Sequence, residues 1–519
     1  MSKIHETWIV EFLNKNKETS YIGSELKVKL LEAYPDLTEA NARKLISNCL
    51  KQNRIKSTSP VKFGKNEYVY YSVKAENEFE LLKDNIKKYK PKLHRAFFAL
   101  TRNRGILSYN ELCKITGAYE NNLLHDVCIK DVLNDLKFFN IAELKEYKGI
   151  KFIEFKNRSC DEQTLIHFTE DLKDKNLLLY QSLLWLSRSN IVGSNMQLFF
   201  GEDNKFNGIS RNDTIWDAFC YTNTVGLGSA HKNFQTIVVV DFSIKHQYEE
   251  YDFLGFKNRV EHLLFGVKKE HRKVLPIIIA PAFSPAAKAL IRKNNYMCFD
   301  LNLILGKNAV IISRTYRKAV HEIENHISEN KVDEIQFNVE NFCAYLREDG
   351  SEDNYQNLKG DLFEYLMFPV FTKIFDKKTD NIIHGFSGSV NGEKFECDYR
   401  IATATENVFI ELKGYKKDYV IPLGEYDSQK KKIASNQCVK WFLSNTYENA
   451  KRYVGTERKA AFCYITTAHI EKKAKEVLVS RKKDKAEILE PYYERETLLA
   501  LLNKYNCERE AKIIEQYYI

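Results

Sequence analysis

The sequence predicts a mixed α/β protein, α+β overall, that is divided into several domains. The chain has 519 residues, which is more than one hydrophobic core usually organises. Its first 156 residues show the same pattern twice, three helical segments followed by two strand-like runs. The rest alternates short apolar runs, typical of buried strands, with helical segments. We therefore expect two small helical domains followed by two α/β domains.

Composition argues against two classes of protein. Charged residues make up 29% of the chain, and the 11 cysteines contain no C-x-x-C pair, which argues against a zinc knuckle. The longest apolar runs reach about ten residues, whereas a membrane-spanning helix needs roughly 20. The first residues lack the apolar segment of a signal peptide. We expect a cytoplasmic protein with no membrane partner.

The net charge is +9, from 79 basic and 70 acidic residues. This excess is compatible with a polyanionic partner. Lysines are concentrated in one late segment, at Lys416, Lys417, Lys430, Lys431 and Lys432. They fit either a phosphate-binding rim or ordinary solvated helix faces. The sequence lacks the Gly-x4-Gly-Lys-Ser/Thr motif, so we expect no nucleoside triphosphate partner.

Residues 1–76 form the first domain. Helical patterns at His5–Asn16, Ser24–Tyr34 and Thr38–Asn53 precede two strand-like runs, Arg54–Thr58 and Glu67–Val73. Three helices and a hairpin resemble a winged helix, which usually lays its third helix in the DNA major groove. The polar residues expected on the exposed face of that helix are Asn41, Lys44, Ser47, Asn48 and Lys51. They suit contacts to phosphates and base edges, although a protein-binding role stays open.

Residues 90–156 repeat this pattern and resemble a second winged helix. Ser108 and Glu111 form a capping box at the start of the second helix, and Gly117 ends that helix. The third helix, predicted over Asn122–Phe139, carries Asp126, Asp131 and Asp135 on its exposed face. Because these charges would repel phosphate, the first winged helix is the better candidate for reading DNA.

Residues 336–519 form an α/β domain with a helical tail, and they contain the most informative motif. The runs Phe395–Arg400 and Val408–Gly414 read as an antiparallel hairpin. Residues two apart on a strand share a face, so Glu411 and Lys413 project together, and Asp398 can meet them across the hairpin. Upstream, Glu364 lies within an apolar helix, where a carboxylate needs a partner.

The segment from Lys359 to Ala468 resembles the PD-(D/E)XK nuclease superfamily, which has the restriction-endonuclease-like fold. The resemblance rests on the order of a helix, a hairpin that carries the E-x-K motif, and a further strand. The resemblance implies an Mg²⁺ site, with Mn²⁺ as a substitute, and gives each residue a role. Asp398, Glu411, the backbone carbonyl of Leu412 and Glu364 would bind metal, and Lys413 would stabilise the attacking hydroxide. Lys416, Lys417, Lys430 and Lys431 would then contact DNA phosphates. Cys397 stands where the motif has proline, which many members also lack.

Residues 160–335 form the other α/β domain, which we interpret as a degenerate copy of the same nuclease fold. Asp217 would match Asp398, and Asp241, at the end of an apolar strand, would match Glu411. Ser243 then stands at the position of Lys413, with Lys245 as a displaced alternative. An unrelated α/β domain stays open.

The expected function is that of an Mg²⁺-dependent double-stranded DNA endonuclease, with the winged helices as target readers. The resemblance makes restriction or anti-phage defence its most natural role. Two alternatives are a non-catalytic DNA-binding regulator and a nuclease subunit of a transposition or repair complex. The four residues Glu364, Asp398, Glu411 and Lys413 favour catalysis over the regulator. A homodimer stays open.

Overall fold

The computed structural model describes most of the chain, in two compact units. The described residues are 2–76, 78–120, 127–158, 160–192, 209–211, 213–222, 235–267, 273–329, 331–376, 378–427, 432–433, 437–456 and 458–519. The first unit contains residues 1–179 and 186–301, and the second contains residues 180–185 and 302–519. Among the described residues, no helix is both long and apolar enough to cross a membrane.

The first segment of the first unit contains the three helices and two strands that its sequence predicts, and an additional short strand, β1 (Tyr21–Ile22), that was not predicted. These are α1 (Ser2–Lys15), β1 (Tyr21–Ile22), α2 (Gly23–Ala33), α3 (Glu39–Lys51), β2 (Ile55–Ser57) and β3 (Val69–Ser72). The strands form an antiparallel sheet in the order β1–β3–β2. Thr38 caps α3, since its Oγ1 accepts a hydrogen bond from Asn41 N at 3.3 Å. The buried face of α3, which includes Leu45 and Ile46, packs in the core of this segment.

The second segment repeats this arrangement behind an additional helix. Its elements are α4 (Glu78–Tyr89), α5 (Pro91–Arg102), β4 (Ile106–Ser108), α6 (Tyr109–Thr116), α7 (Ile129–Phe138), β5 (Ala142–Tyr147) and β6 (Ile150–Phe155). Ser108 caps α6 as predicted, and Gly117 ends it with φ +60°, a left-handed conformation that favours glycine. The described part of α7 begins at Ile129, later than predicted, and Asp126 lies outside the described residues.

The third segment of the first unit is built around a four-stranded sheet. Its elements are α8 (Glu162–Arg188), β7 (Ile209–Arg211), β8 (Thr214–Trp216), β9 (Ala218–Thr222), β10 (Thr236–Phe242), α9 (Glu250–Val267), β11 (Val274–Ala280), α10 (Pro285–Lys293) and β12 (Met297–Asp300). Residues 180–185 of α8 and most of the following α11 (Leu301–Leu305) belong to the second unit. In the sheet order β12–β11–β10–β9, only β9 is antiparallel to its neighbour. Strand β12 ends at Asp300, and the apolar residues after it form α11.

The second unit places a five-stranded sheet among helices. Its helices are α12 (Ala309–Glu329), α13 (Val332–Glu348), α14 (Gln356–Ile374), α15 (Val439–Trp441), α16 (Glu448–Val454), α17 (Lys472–Ser480), α18 (Arg495–Lys504) and α19 (Glu508–Tyr517). Its strands are β13 (Asn381–Val390), β14 (Glu393–Ala402), β15 (Glu406–Lys413), β16 (Val420–Ile421), β17 (Tyr426–Asp427), β18 (Lys432–Ile433), β19 (Lys459–Thr466), β20 (His469–Ile470) and β21 (Tyr492–Tyr493). A π-helical segment, Phe442–Tyr447, joins α15 to α16.

The main sheet of the second unit has the order β13–β14–β15–β19–β21. The predicted hairpin is present as β14 and β15, which are antiparallel, whereas β19 and β21 follow in parallel pairing. Strand β15 is buried along its length up to Leu412, as an interior strand should be. Sequence analysis missed β13, which pairs with β14 over almost its whole length.

Candidate active site

Strands β14 and β15 position two carboxylates opposite each other. Tyr399 pairs with Ile410, so Asp398 lies across from Glu411 one residue further along. Asp398 Oδ2 accepts a hydrogen bond from the backbone N–H of Leu412 at 2.6 Å. This bond fixes the Asp398 carboxylate against the end of β15, beside the E-x-K motif.

Lys413 completes the cluster on β15. Its Nζ lies 2.6 Å from Glu411 Oε1, as expected for side chains two residues apart on one face. Burial alone would lower the pKa of Lys413, but the charges of Glu411 and Asp398 outweigh this effect and raise it. Lys413 therefore stays charged at neutral pH.

Helix α14 brings further carboxylates, Asp361 and Glu364, to the same site. These residues are one helical turn apart, so they lie on one face of the helix. Tyr399 donates a hydrogen bond from its hydroxyl to the Glu364 carbonyl oxygen at 2.9 Å, which ties α14 to β14. Tyr316 on α12 donates to Asp361 Oδ2 at 3.0 Å.

A glycine allows α14 to lie close to the end of β15. A Cβ atom on Gly414 would stand 2.7 Å from Phe363 Cβ and 3.1 Å from Gly360 Cα, distances too short for an ordinary contact. Only glycine therefore fits directly after Lys413 without moving the helix. The close approach keeps Glu364 near the carboxylates of the sheet.

The carboxylates strongly affect one another's ionisation. Burial, reinforced by the charge of Asp398, raises the pKa of Glu411 to about 8. Burial also raises the pKa of Asp398. The pKa of Glu364 is raised by burial, and the charges of Asp398 and Asp361 add to this. Among the described residues, the carboxylates of the site thus outnumber its one lysine, Lys413, so their negative charge is only partly balanced.

This donor set fits a hard divalent cation. Carboxylate oxygens are the ligands that Mg²⁺ and Mn²⁺ prefer, and a cation would offset the repulsion that raises these pKa values. The oxygens are not gathered as tightly as in an ion-bound cluster. Among the described residues, His469, Glu494 and Glu496 do place three ligand atoms within 4.8 Å of one another. There, however, Lys475 Nζ already lies 2.5 Å from Glu494 Oε1, and Ile470 N donates to the same carboxylate.

Two residues of the site, Asp361 and His384, were not predicted from the sequence. Asp361 stands one turn before Glu364, and this helical spacing is a signal that was present in the sequence. His384 lies on β13, and its ring is tilted against the rings of Tyr365 and Tyr399. Its Nε2 is buried 3.6 Å from Glu364 Oε2 and has no hydrogen-bond partner among the described residues.

The predicted DNA-contacting residues have mixed surroundings. On α3, Asn41, Lys44, Ser47 and Lys51 are exposed as predicted. Asn48 is not exposed as predicted, because this side chain is half-buried and donates a hydrogen bond to Glu6 Oε1 at 3.3 Å. Lys416 and Lys417 are exposed just beyond β15, with Lys416 paired to Asp353. Lys430 and Lys431 lie outside the described residues.

The comparisons with known proteins add a partial likeness. No family model and no curated protein matches the chain. A repair endonuclease from Pyrococcus abyssi matches with 13% identity and a TM-score of 0.18, over 29% of this chain and 51% of that one. Part of the chain resembles repair endonucleases. EndoMS, solved in a complex with dsDNA, matches with 15% identity and a TM-score of 0.18, over 30% of this chain and 62% of that one.

The matched part of this chain thus spans about half to three fifths of each of those endonucleases. At this level of similarity the likeness identifies no activity. The functional interpretation therefore depends on the geometry around Asp398, Glu411 and Lys413.

Proposed function

We propose that the protein is an Mg²⁺-dependent DNA endonuclease, with Mn²⁺ as a substitute, that hydrolyses phosphodiester bonds in double-stranded DNA. One observation carries the proposal. Two carboxylates on adjacent antiparallel strands, a lysine two residues after the second, and a helix with two more carboxylates meet at one place. A surface hairpin with an ordinary salt bridge would not be expected to have four carboxylates near a single lysine.

Each residue has a distinct task in this proposal. Asp398, Glu411, the backbone carbonyl of Leu412 and Glu364 would hold the cation. When bound, a divalent cation offsets the charge of the phosphodiester and lowers the pKa of a water molecule. The Lys413 ammonium would stabilise negative charge next to the attacked phosphorus. The hydrogen bond from Leu412 N to Asp398 Oδ2 orients this carboxylate toward the end of β15.

DNA is the substrate that the rest of the chain favours. The exposed polar face of α3 offers Lys44 and Lys51 to phosphates and Asn41 to base edges. Lys416 and Lys417 are exposed close to the end of β15 in sequence, where a strand entering the site would bring phosphates. We further propose a role in restriction or anti-phage defence, which rests on the resemblance of the E-x-K region to restriction endonucleases.

The direct test is a cleavage assay with the full chain. Plasmid and genomic DNAs of differing methylation would be incubated with the protein, with and without Mg²⁺ or Mn²⁺. We expect cleavage that requires the metal and stops with EDTA. DNA binding without cleavage of any substrate would instead favour a regulator, and cleavage only with added partner proteins would favour a subunit of a larger complex.

The role of α3 leads to a second prediction. Replacing both Lys44 and Lys51 with alanine should weaken DNA binding and reduce the slope of log K against log salt by about two at most, because each phosphate contact releases about one counterion. Fluorescence anisotropy at several salt concentrations measures both quantities. Lys29 and Lys83, exposed on other helices, form the matched control pair and should change neither. An unchanged slope would assign α3 to a protein partner.

A further inference from the structure

A second set of buried charged residues lies in the first unit, far from the candidate active site in sequence. Among the described residues, ion pairs connect Glu111, Lys114, Lys175, Asp217, Asp241 and Arg259, which we call the buried ion cluster. Asp241 and Arg259 are almost completely buried. Such groups are costly to bury unless they are paired, so their arrangement calls for an explanation.

The sheet that carries this cluster has the same topology as the sheet of the candidate active site. Strand β9 is antiparallel to β10, which is followed in parallel by β11 and β12. Strand β14 is likewise antiparallel to β15, which is followed in parallel by β19 and β21. In both cases a helical segment, α9 or α15 to α16, separates the second strand from the third.

The agreement extends to single atoms. In the first unit, Val240 pairs with Ala218, so Asp241 lies across from Asp217. In the second unit, Ile410 pairs with Tyr399, so Glu411 lies across from Asp398 in the same way. Phe242 N donates a hydrogen bond to Asp217 Oδ2 at 2.7 Å. The equivalent bond, from Leu412 N to Asp398 Oδ2, measures 2.6 Å. An unrelated α/β domain would not be expected to reproduce this register and this side-chain bond together.

The two sites differ in the source of positive charge. Lys114 Nζ lies 2.6 Å from Asp217 Oδ2, 3.4 Å from Asp241 Oδ1 and 3.2 Å from the carbonyl oxygen of Phe242. These oxygens are the counterparts of Asp398, Glu411 and the Leu412 carbonyl, the groups proposed to hold metal. The distances are those of an ammonium group rather than the 2.0–2.1 Å typical of Mg²⁺.

The sequence suggested Lys245, just beyond β10, as the lysine of this site, but the structure places Lys114 of a distant helix there. Strand β10 ends at Phe242, and Lys245 pairs with Asp171. Lys114 and Glu111 instead lie one turn apart on α6, just as Asp361 and Glu364 lie one turn apart on α14. Helix α6 is held in place by Arg95, whose Nε donates to the carbonyl oxygen of Ile115 at 2.8 Å.

The charges of the buried ion cluster are balanced. Its three carboxylates face three cations, whereas Asp361, Glu364, Asp398 and Glu411 share Lys413 at the candidate active site. Burial would raise the pKa of Asp241, but the charges of Lys114 and Arg259 outweigh it and lower this pKa. The buried ion cluster therefore needs no further cation.

We propose that the first unit contains a second nuclease-type core in which the Lys114 ammonium permanently occupies the cation position, so that this core neither binds a divalent metal nor cleaves DNA. The proposal rests on the proposed function of the second unit only for the description of the core as nuclease-type. It assigns Lys114 the position that the proposed metal ion would take at the candidate active site.

The test measures Mn²⁺ bound to the full chain by electron paramagnetic resonance. The background is the Asp398→Asn/Glu411→Gln variant, in which the site of the second unit is disabled and the first unit is untouched. Adding Asp241→Asn to this background should leave the amount of bound Mn²⁺ unchanged. A loss of Mn²⁺ on adding Asp241→Asn would overturn the proposal, because it would mean that the first unit already holds metal.

A second part of the experiment removes the Lys114 ammonium group and tests for a gain of bound Mn²⁺. Lys114→Met in the same background should add one bound Mn²⁺, and Asp241→Asn should remove it again. Circular dichroism checks folding, and Lys114→Gln, which keeps a hydrogen-bonding group, serves if the methionine variant does not fold. A folded Lys114 variant that gains no Mn²⁺ contradicts the proposal. Failure of the parent to bind Mn²⁺ at Asp398 and Glu411 would instead contradict the proposed function and leave this comparison intact.

Discussion

The variants Glu411→Gln and Lys413→Met are each expected to lose DNA cleavage while keeping DNA affinity. Glu411→Gln removes the charge of the most deeply buried carboxylate of the site, which we propose as a ligand for the cation. Lys413→Met removes the only ammonium group seen within ion-pair distance of Glu411 among the described residues. Loss of one preorganised electrostatic group commonly lowers the rate on the order of 10²-fold or more. Single-turnover cleavage rates with Mg²⁺ measure this effect.

The control for these variants lies on the same hairpin. Glu393, at the exposed start of β14, can be changed to glutamine without touching the site, and this variant should cut like the parent. Anisotropy in the presence of EDTA should give the parental affinity for all three variants, because the residues proposed to hold DNA lie elsewhere. Parental cleavage rates in folded Glu411→Gln and Lys413→Met variants would show that the active site has been placed wrongly.

A large loss of stability is expected from Arg259→Met. The guanidinium of Arg259 is inaccessible to solvent, lies 2.9 Å from Asp241 Oδ1 and donates to the carbonyl oxygen of Ile215 at 2.8 Å. It also packs over the ring of Trp216. Methionine fills much of the volume but leaves Asp241 with less positive charge and the Ile215 carbonyl without this donor. Breaking a buried ion pair in this way costs about 3–5 kcal/mol.

Urea unfolding, followed by circular dichroism, measures this change in the free energy of unfolding. Arg43→Met is the matched control, because Arg43 and its partner Glu39 are both well exposed, and such pairs contribute little to stability. Hydrogen exchange should show that the additional opening in Arg259→Met is concentrated in β10 and α9. Equal stability of the two variants would mean that the buried ion cluster contributes little to the fold.

Local patterns predicted the central part of the candidate site. The alternation of side chains along a strand places Glu411 and Lys413 on one face, and the hairpin brings Asp398 to them, so the sequence contains this geometry directly. Strand β13 and its His384 were missed because the glycines at 385 and 388 interrupt the apolar pattern of the segment. The contact of His384 with the site depends on the sheet and cannot be read from its neighbours in sequence.

The buried ion cluster shows a different limit of sequence reasoning. Asp217 and Asp241 were recognised from their positions next to apolar strands. Lys114 was not, because it lies on a helix far upstream that sequence analysis assigned to a separate winged helix. A charge that arrives from a distant helix leaves no spacing pattern around the residues that it pairs with. The hydroxyl of Tyr316, which donates a hydrogen bond to Asp361 from α12, likewise could not be predicted from sequence spacing.

The position of Lys114 on α6 limits how the second helical segment can move. Rotating this segment away from the β10 sheet would pull the ammonium group out from between Asp217 and Asp241 and break both ion pairs. Arg102, on α5 of the same segment, also holds Asp252 with two hydrogen bonds of 2.6 and 2.7 Å. The segment and the sheet should therefore respond to a pulling force as a single mechanical body, without a hinge between them, and unfold in one step.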